Sequence, residues 1–523
     1  MGAAIPATPR EWDGSPVQDA ASIHLRGAAA QVPPPSPAMP ADCPDMIPAE
    51  GPREACGIFG VYAPGLDVAR ITFFGLHSLQ HRGQESAGIA TTDGEHFFIE
   101  TGMGLVSHVF NEKRLGRLAG HIAIGHTRYS TTGSSQLVNA QPFLVDGSLG
   151  EMALGHNGNV VNAGFLRDEL AAAGCQFSTG SDSEVIAWLI ARSPGATWVE
   201  RIQRACKRLS GAYSLVLLTA EQLIAVRDPR AVRPLCLGKL DGGWVVASES
   251  CALDHLGATF LREVEPGEIL SIGAGGVARA RLEEEPTPTH CIFEYIYFAR
   301  PDSLLSGRLV WEARERMGAR LAVEYPVEAD LVAAVPDSAT AAGLGYARQS
   351  GIPYREALMK NRYVGRTFIQ PDQRLRELGV QLKFNPLPEV LAGKRVVLVD
   401  DSIVRGTTTP HVIALLRRAG ATEVHMRVCA PPIRHPCHFG VDMATRAELI
   451  AAHKDIPEIA KAVGADSLGY LSIAGLIAAV GLPRSSFCLA CFTGQYPVPV
   501  QLEMDKLVLE RPGELPLSTE HAR

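Results

Sequence analysis

Short apolar runs of strand length begin at Cys56 and recur to about Thr289: "CGIFGVYA", "HFFIETG", "HIAIGHTRY", "EMALGHNGNV", "AYSLVLLT", "LIAVRDP" and "GWVVASES". Turn residues bound each of them, as strands require. Helical stretches such as "SDSEVIAWLIARS" and "WVERIQRACKRLS" interrupt the series. Many strands with few interposed helices predict packed antiparallel sheets flanked by helices, an α+β arrangement. After the charged, proline-containing "RLEEEPTPTH" the pattern changes. "EADLVAAVPDS", "GKRVVLVDD" and "TEVHMRVCAPP" are continuous apolar runs, as strands buried on both faces should be, and alternate with helical stretches such as "TTTPHVIALLRRAGA". This half predicts a parallel-sheet α/β domain. The expected divisions are 56–289, 290–470 and 471–523, the last holding a helix-like "SIAGLIAAVGL", a cysteine pair and a polar tail. Residues 1–55, with "QVPPPSPAMPADCP", bury too little apolar surface to offset ordering entropy and predict a disordered leader.

Composition narrows the function classes. A chain of 523 residues is too long for one core. Its 46% hydrophobic and 20% charged residues fit an ordinary globular protein. The net charge of −7 gives no electrostatic case for nucleic acid. The longest apolar run, "YLSIAGLIAAVGLP", is too short to span a bilayer, and no secretory signal opens the chain. Eleven cysteines without an export signal predict reduced thiols in a cytoplasmic setting, with metal or catalytic roles favoured over disulfides.

The most specific local signal is "VVLVDDSIVRGTTTPHVIALLRRAG". A buried strand ends in Asp400 and Asp401; a loop of Arg405, Gly406, Thr407, Thr408 and Thr409 follows, then Pro410 at a helix start. Loop amides and the helix dipole favour phosphate there, and paired carboxylates suit sugar hydroxyls or a magnesium ion. An ordinary strand-loop-helix with a capping threonine is the competing reading. The stretch resembles the phosphoribosyl-pyrophosphate (PRPP) loop of the phosphoribosyltransferases. That resemblance gives Asp400 and Asp401 the ribose hydroxyls and gives residues 405–409 the 5′-phosphate. "AVPDSATAAGLGYA" looks like the family's pyrophosphate loop, with Asp337 at a strand end and Ser338 beside the metal. "KNRYVGRTFIQ" looks like its lid, in which Lys360, Arg362, Tyr363 and Arg366 would neutralise departing pyrophosphate. A solvated basic loop would read the same way.

The motifs after Cys56 come in a set order: "CGIFG", "LHSLQHRGQESAGI", "GHTRYSTTG", "GHNGNV", "SDSEV". Singly they are weak. Asn157-Gly158 fits a turn, Asp182 an N-cap and Arg128 a surface charge. Together they resemble the N-terminal-nucleophile glutamine amidotransferases over nearly all of 56–250. The resemblance implies that Cys56 becomes the first residue, that its freed α-amine activates its thiol, and that the leader is a propeptide. An amine of pKa near 8 suits that task. It further implies an oxyanion hole from the Asn157 side chain and Gly158 N–H, with Arg128 on the substrate carboxylate and Asp182 on its ammonium.

Cys291, Cys437, Cys488 and Cys491 remain, the last two as "CLAC". Four such cysteines allow zinc, an iron–sulfur cluster or redox chemistry. The whole chain resembles the amidophosphoribosyltransferase family, one branch of which carries a [4Fe–4S] cluster on matching cysteines and has a cleaved leader. Membership would imply an N-terminal-nucleophile sandwich joined to a type I phosphoribosyltransferase domain. It would imply synthesis of 5-phosphoribosylamine, glutamate and pyrophosphate from PRPP, glutamine and water, the first step of purine synthesis. Magnesium on Ser338, Asp400 and Asp401, one cluster per subunit, a homotetramer and purine nucleotide inhibitors complete the expectation. Cys43, Cys175, Cys206, Cys236, Cys251 and Cys429 would have no role beyond packing or exposure. A glucosamine-6-phosphate synthase type would share the glutaminase half but lack the PRPP loop. A PRPP-sensing regulator would have no use for the glutaminase motifs.

Overall fold

The computed structural model describes residues 56–129, 134–361, 384–441, 445–500 and 509. The expected leader, residues 1–55, and the expected lid residues Arg362, Tyr363 and Arg366 lie outside them. The first half is two facing antiparallel sheets. Seven strands make one, in the order β11-β9-β10-β1-β4-β2-β3. These are β1 (Gly57–Tyr62), β2 (Ser86–Thr92), β3 (Phe97–Met103), β4 (Ile122–Arg128), β9 (Cys236–Leu240), β10 (Gly243–Ala247) and β11 (Thr259–Glu263). The other runs β13-β12-β8-β7-β6-β5. Its members are β5 (Phe143–Gly147), β6 (Gly150–Val160), β7 (Gly211–Leu218), β8 (Leu223–Arg227), β12 (Glu268–Gly273) and β13 (Gly276–Arg281).

Ile58, Ile122, Ile124, Val216, Leu218 and Val246 fill the space between the sheets. The outer face of the first sheet, with Phe59, Val61 and Ala123, packs under the helices Val68–Ser78 and Cys251–His255. The outer face of the second is covered by the helices Ala163–Ala172, Asp182–Arg192 and Trp198–Cys206. A sheet usually alternates buried and exposed residues when one face meets water. Here helices cover the second face as well, so β1, β2, β4 and β7 are buried at every position. Each fully buried large aliphatic side chain contributes about 1.5–3 kcal/mol.

The second half has a parallel four-stranded sheet, Leu331–Ala334, Arg395–Asp400, Glu423–Val428 and Ser467–Tyr470 in that order. Val310–Glu324, Thr340–Ser350 and Ile473–Val480 cover one face. Thr408–Arg418 and Ile456–Val463 cover the other. Among the described residues no helix is long and apolar enough to cross a membrane.

Candidate functional site

Two clefts collect the residues singled out in the sequence. The first is lined by Cys56, Arg128, Tyr129, Gln141, His156, Gly158, Ser181, Asp182 and Ser183. Cys56 immediately precedes β1, and its thiol donates to the Tyr129 carbonyl at 3.3 Å. Burial pushes that thiol up, against the opposing pull of the Tyr129 backbone and the Arg128 charge. Arg82 fixes the main chain beside it: its Nε donates to the Cys56 carbonyl at 3.1 Å, while its other nitrogens hold Glu249 and Glu294. All three of these charged side chains are buried.

The three modest readings, a turn, a surface charge and an N-cap, do not survive their settings. Asn157 and Gly158 are in the middle of β6, not in a turn. Neither Asn157 side-chain atom has a hydrogen-bond partner, although the residue is fully buried. A buried amide costs free energy when unbonded, so an orphan flanked by two cleft-lining residues, His156 and Gly158, calls for a partner supplied from elsewhere. Arg128 is 2% exposed and its Nη1 pairs with Glu85, so it is no surface charge. Asp182 is the first helical residue while Ser181 is the cap, and Asp182 Oδ2 accepts from the Val160 N–H at 3.0 Å.

Sequence reasoning missed the frame around these groups. Gln141 Oε1 accepts from the His156 N–H at 2.8 Å, and its Nε2 donates to Ser183 Oγ at 3.0 Å. His156 Nδ1 meets the same hydroxyl at 3.0 Å. Burial pulls the His156 pKa below its usual value, against the opposing pull of Asp182. The signal was the stretch "NAQPF", whose glutamine is polar inside an apolar run.

The second cleft, of about 190 Å³, brings together Asp337, Ser338, Lys360, Asp400, Asp401, Arg405, Gly406, Thr408 and Thr409. Asp400 ends its strand and Asp401 opens the loop, which Gly406 turns with a φ of +72° that favours glycine. Thr407 caps the following helix without a side-chain bond, which leaves first-turn N–H groups at the cleft. Pro410 is the third helical residue, two positions later than a helix-starting proline. Lys360 Nζ bonds Asp337 Oδ2 at 2.8 Å. Tyr297 also lines this cleft and was missed; burial and the charges of Asp401 and Asp400 hold its phenol well above the usual value. Its place in "EYIYFARPDS" gave no period to read.

The four remaining cysteines converge. Cys291 pairs with Cys488 across a short parallel ribbon. Cys437 Sγ accepts from the Phe439 N–H at 3.4 Å. Burial first, and the neighbouring cysteines after it, push Cys491 up, and burial carries Cys488 to about 12. Among the described residues no three His, Cys, Asp or Glu side chains could hold one metal ion between them. Cys175, Cys206, Cys236, Cys251 and Cys429 are buried in cores, and Cys43 lies outside the described residues.

Comparison with known proteins gives the same two-part picture. Residues 126–255 match the family model described as "Glutamine amidotransferase domain". An amidophosphoribosyltransferase from Synechocystis sp. is 52% identical over 470 residues, covering 88% of this chain and 95% of the relative. One from Methanocaldococcus jannaschii is 49% identical over 466 residues, 86% of this chain and 98% of the relative. Among solved structures, glutamine PRPP amidotransferase from B. subtilis, complexed with ADP and GMP, superposes with a TM-score of 0.82 at 47% identity. It covers 87% of this chain and all of that one, 100%. With a glutaminase motif set on one sandwich, a phosphate loop on one parallel sheet and half its residues shared along almost the full length of these relatives, the chain belongs to the amidophosphoribosyltransferase family.

Proposed function

We propose that the protein divides its family's reaction between the two clefts. That reaction is the glutamine-dependent conversion of PRPP to 5-phosphoribosylamine, the first step of purine synthesis. In the first cleft the Cys56 sulfur attacks the glutamine side-chain amide, ammonia leaves, and water releases glutamate from the thioester. Burial makes the thiol a poor acid, so it needs a base at hand. The Cys56 α-amine serves once residues 1–55 have been removed. The Asn157 side chain and the Gly158 N–H receive the oxyanion, Arg128 the substrate carboxylate and Asp182 its ammonium. The observation that carries this reading is the unbonded, buried side-chain amide of Asn157, whose neighbours His156 and Gly158 line the cleft that holds Cys56.

In the second cleft Asp400 and Asp401 hold the ribose hydroxyls, residues 405–409 the 5′-phosphate, and Lys360 the pyrophosphate, joined by Arg362, Tyr363 and Arg366. Ammonia displaces pyrophosphate at the anomeric carbon. Ser338, Asp400 and Asp401 are oxygen donors and would hold a magnesium ion, which usually takes one or two carboxylates plus substrate phosphates. Its charge would stabilise the departing pyrophosphate.

Cys291, Cys437, Cys488 and Cys491 would hold a [4Fe–4S] cluster. A lone zinc needs its sulfurs within about 2.3 Å. Four cysteine sulfurs are the donor set that such a cluster takes. A homotetramer inhibited by purine nucleotides, working in the cytoplasm, completes the proposal. Pyrophosphate release dependent on both glutamine and PRPP tests it, with intact-mass analysis of the active sample. Release without a glutamine requirement, or full activity with Ala55 retained, would overturn the glutaminase assignment.

A further inference from the structure

The proposed oxyanion donors stand on β6, and part of what holds β6 comes from the other half of the molecule. Residues 437–441 follow the strand Glu423–Val428 and run against residues 157–159. Asn159 Nδ2 donates to the His438 carbonyl at 3.0 Å. A Cβ added to Gly440 would meet the carbonyl carbon and oxygen of Gly158 at 2.8 Å, so the two backbones touch with no room for a side chain. Gly440 also has a φ of +92°, which favours glycine. Arg233 Nε donates to the Phe439 carbonyl at 3.0 Å, and Phe439 is buried against Ala212 and Val232. Ala212 is the cross-strand neighbour of Asn159 on β7, so the segment grips both strands where the donors emerge. None of residues 437–441 lines the phosphoribosyl cleft.

The geometry points to Gly440 as a positioning residue for the glutaminase reaction: through Gly158 it sets the oxyanion donors against Cys56. This rests on reading Asn157 and Gly158 as those donors. The Asn157 side chain makes no hydrogen bond of its own, so its aim is inherited from the backbone. A Cβ on Gly158 would sit 2.0 Å from the Ala212 carbonyl oxygen, so the Gly158 backbone is packed tightly on β7 as well as on Gly440, and no slack separates the brace from the donors. Anything that moves Gly440 therefore moves both donors together. Fixed donors work only when aimed at the developing charge, and an error of about 1 Å can cost about 100-fold. The near end of the segment is tied by the Phe439 N–H to Cys437, so the brace starts at one of the four gathered thiols.

Gly440→Ala in the full chain tests this, with Asn157→Ala measured beside it and glutamine- and ammonia-dependent pyrophosphate release read from each preparation. The glutamine-dependent kcat of Gly440→Ala should fall about 10- to 100-fold, with the glutamine KM moving less than about threefold. Its ammonia-dependent rate should stay within about twofold of the parent, because phosphoribosyl transfer does not use the oxyanion hole. If Gly440→Ala does not accumulate, Asn159→Ala removes the bond to His438 and should show the same split, less deeply. An unchanged glutamine-dependent kcat, or equal loss of both activities, would overturn the inference. Full glutamine-dependent activity in Asn157→Ala would instead overturn the reading beneath it; a crippled Asn157→Ala with a normal Gly440→Ala would remove only the brace.

Discussion

Asp401 is 7% exposed, and its Oδ1 accepts the Ser402 hydroxyl at 2.6 Å. It could serve as a loop brace or as a ligand for ribose or magnesium. The two roles differ in what they do to PRPP. If Asp401 holds substrate or metal, Asp401→Ala should weaken both the glutamine- and the ammonia-dependent reaction. The loss of one charge-assisted contact is about 1.5–3 kcal/mol, or about 10- to 150-fold. Steady-state kinetics with PRPP varied check this, and normal PRPP kinetics would leave only the brace. At this scale the sequence was legible wherever several weak motifs came in order, because chemistry fixes residue type and spacing together. Gln141, His156 and Ser183 escaped notice for the opposite reason. Their importance lies in meeting one another, and residues from three separate segments meet only in the fold.

Strands of the first half could be read from short apolar runs because burial on both faces leaves few polar interruptions. The helix Val68–Ser78 was not read, since "VARITFFGLHS" is β-branched and aromatic at positions where helix formers are expected. The π-helical turn Glu294–Phe298 is held by tertiary partners, as Glu294 receives Arg82 and Arg233 in a buried cluster. On β4, His126 donates its Nε2 proton to the His156 carbonyl at 3.0 Å and is fully buried. Burial holds its pKa at about 3, against 6.5 for the free side chain. Between those values only the unfolded chain takes up the proton. The stability His126 contributes is complete above about pH 6.5 and is lost as pH falls toward about 3. Denaturant midpoints measured from about pH 7 down to about pH 4 should therefore fall less steeply in His126→Asn than in the parent. Equal slopes would assign the acid limit to other groups. The ribbon of Cys291 and Cys488 gives an element-scale test as well. Cys437→Ala and Cys488→Ala, purified without oxygen, should lose iron, and Cys236→Ala and Cys429→Ala should keep it. Stoichiometric zinc in the colourless parent would replace the cluster with a zinc site.

The whole molecule joins two chemistries through contacts that no local pattern announces. Arg82 to Glu294, Arg233 to Phe439 and Asn159 to His438 link residues 206 to 279 positions apart. Each contact uses a buried polar group, so each looks like a defect in an otherwise apolar stretch until its partner is known. The two sites themselves remain chemically separate. On the proposed division, only the first needs a thiol and only the second needs PRPP. Cys56→Ala separates them most directly, with pyrophosphate release measured once with glutamine and once with ammonia. The account predicts that the glutamine-dependent reaction is abolished while the ammonia-dependent one persists near the parent rate. Retained glutamine-dependent release, or equal loss of both reactions, would contradict it.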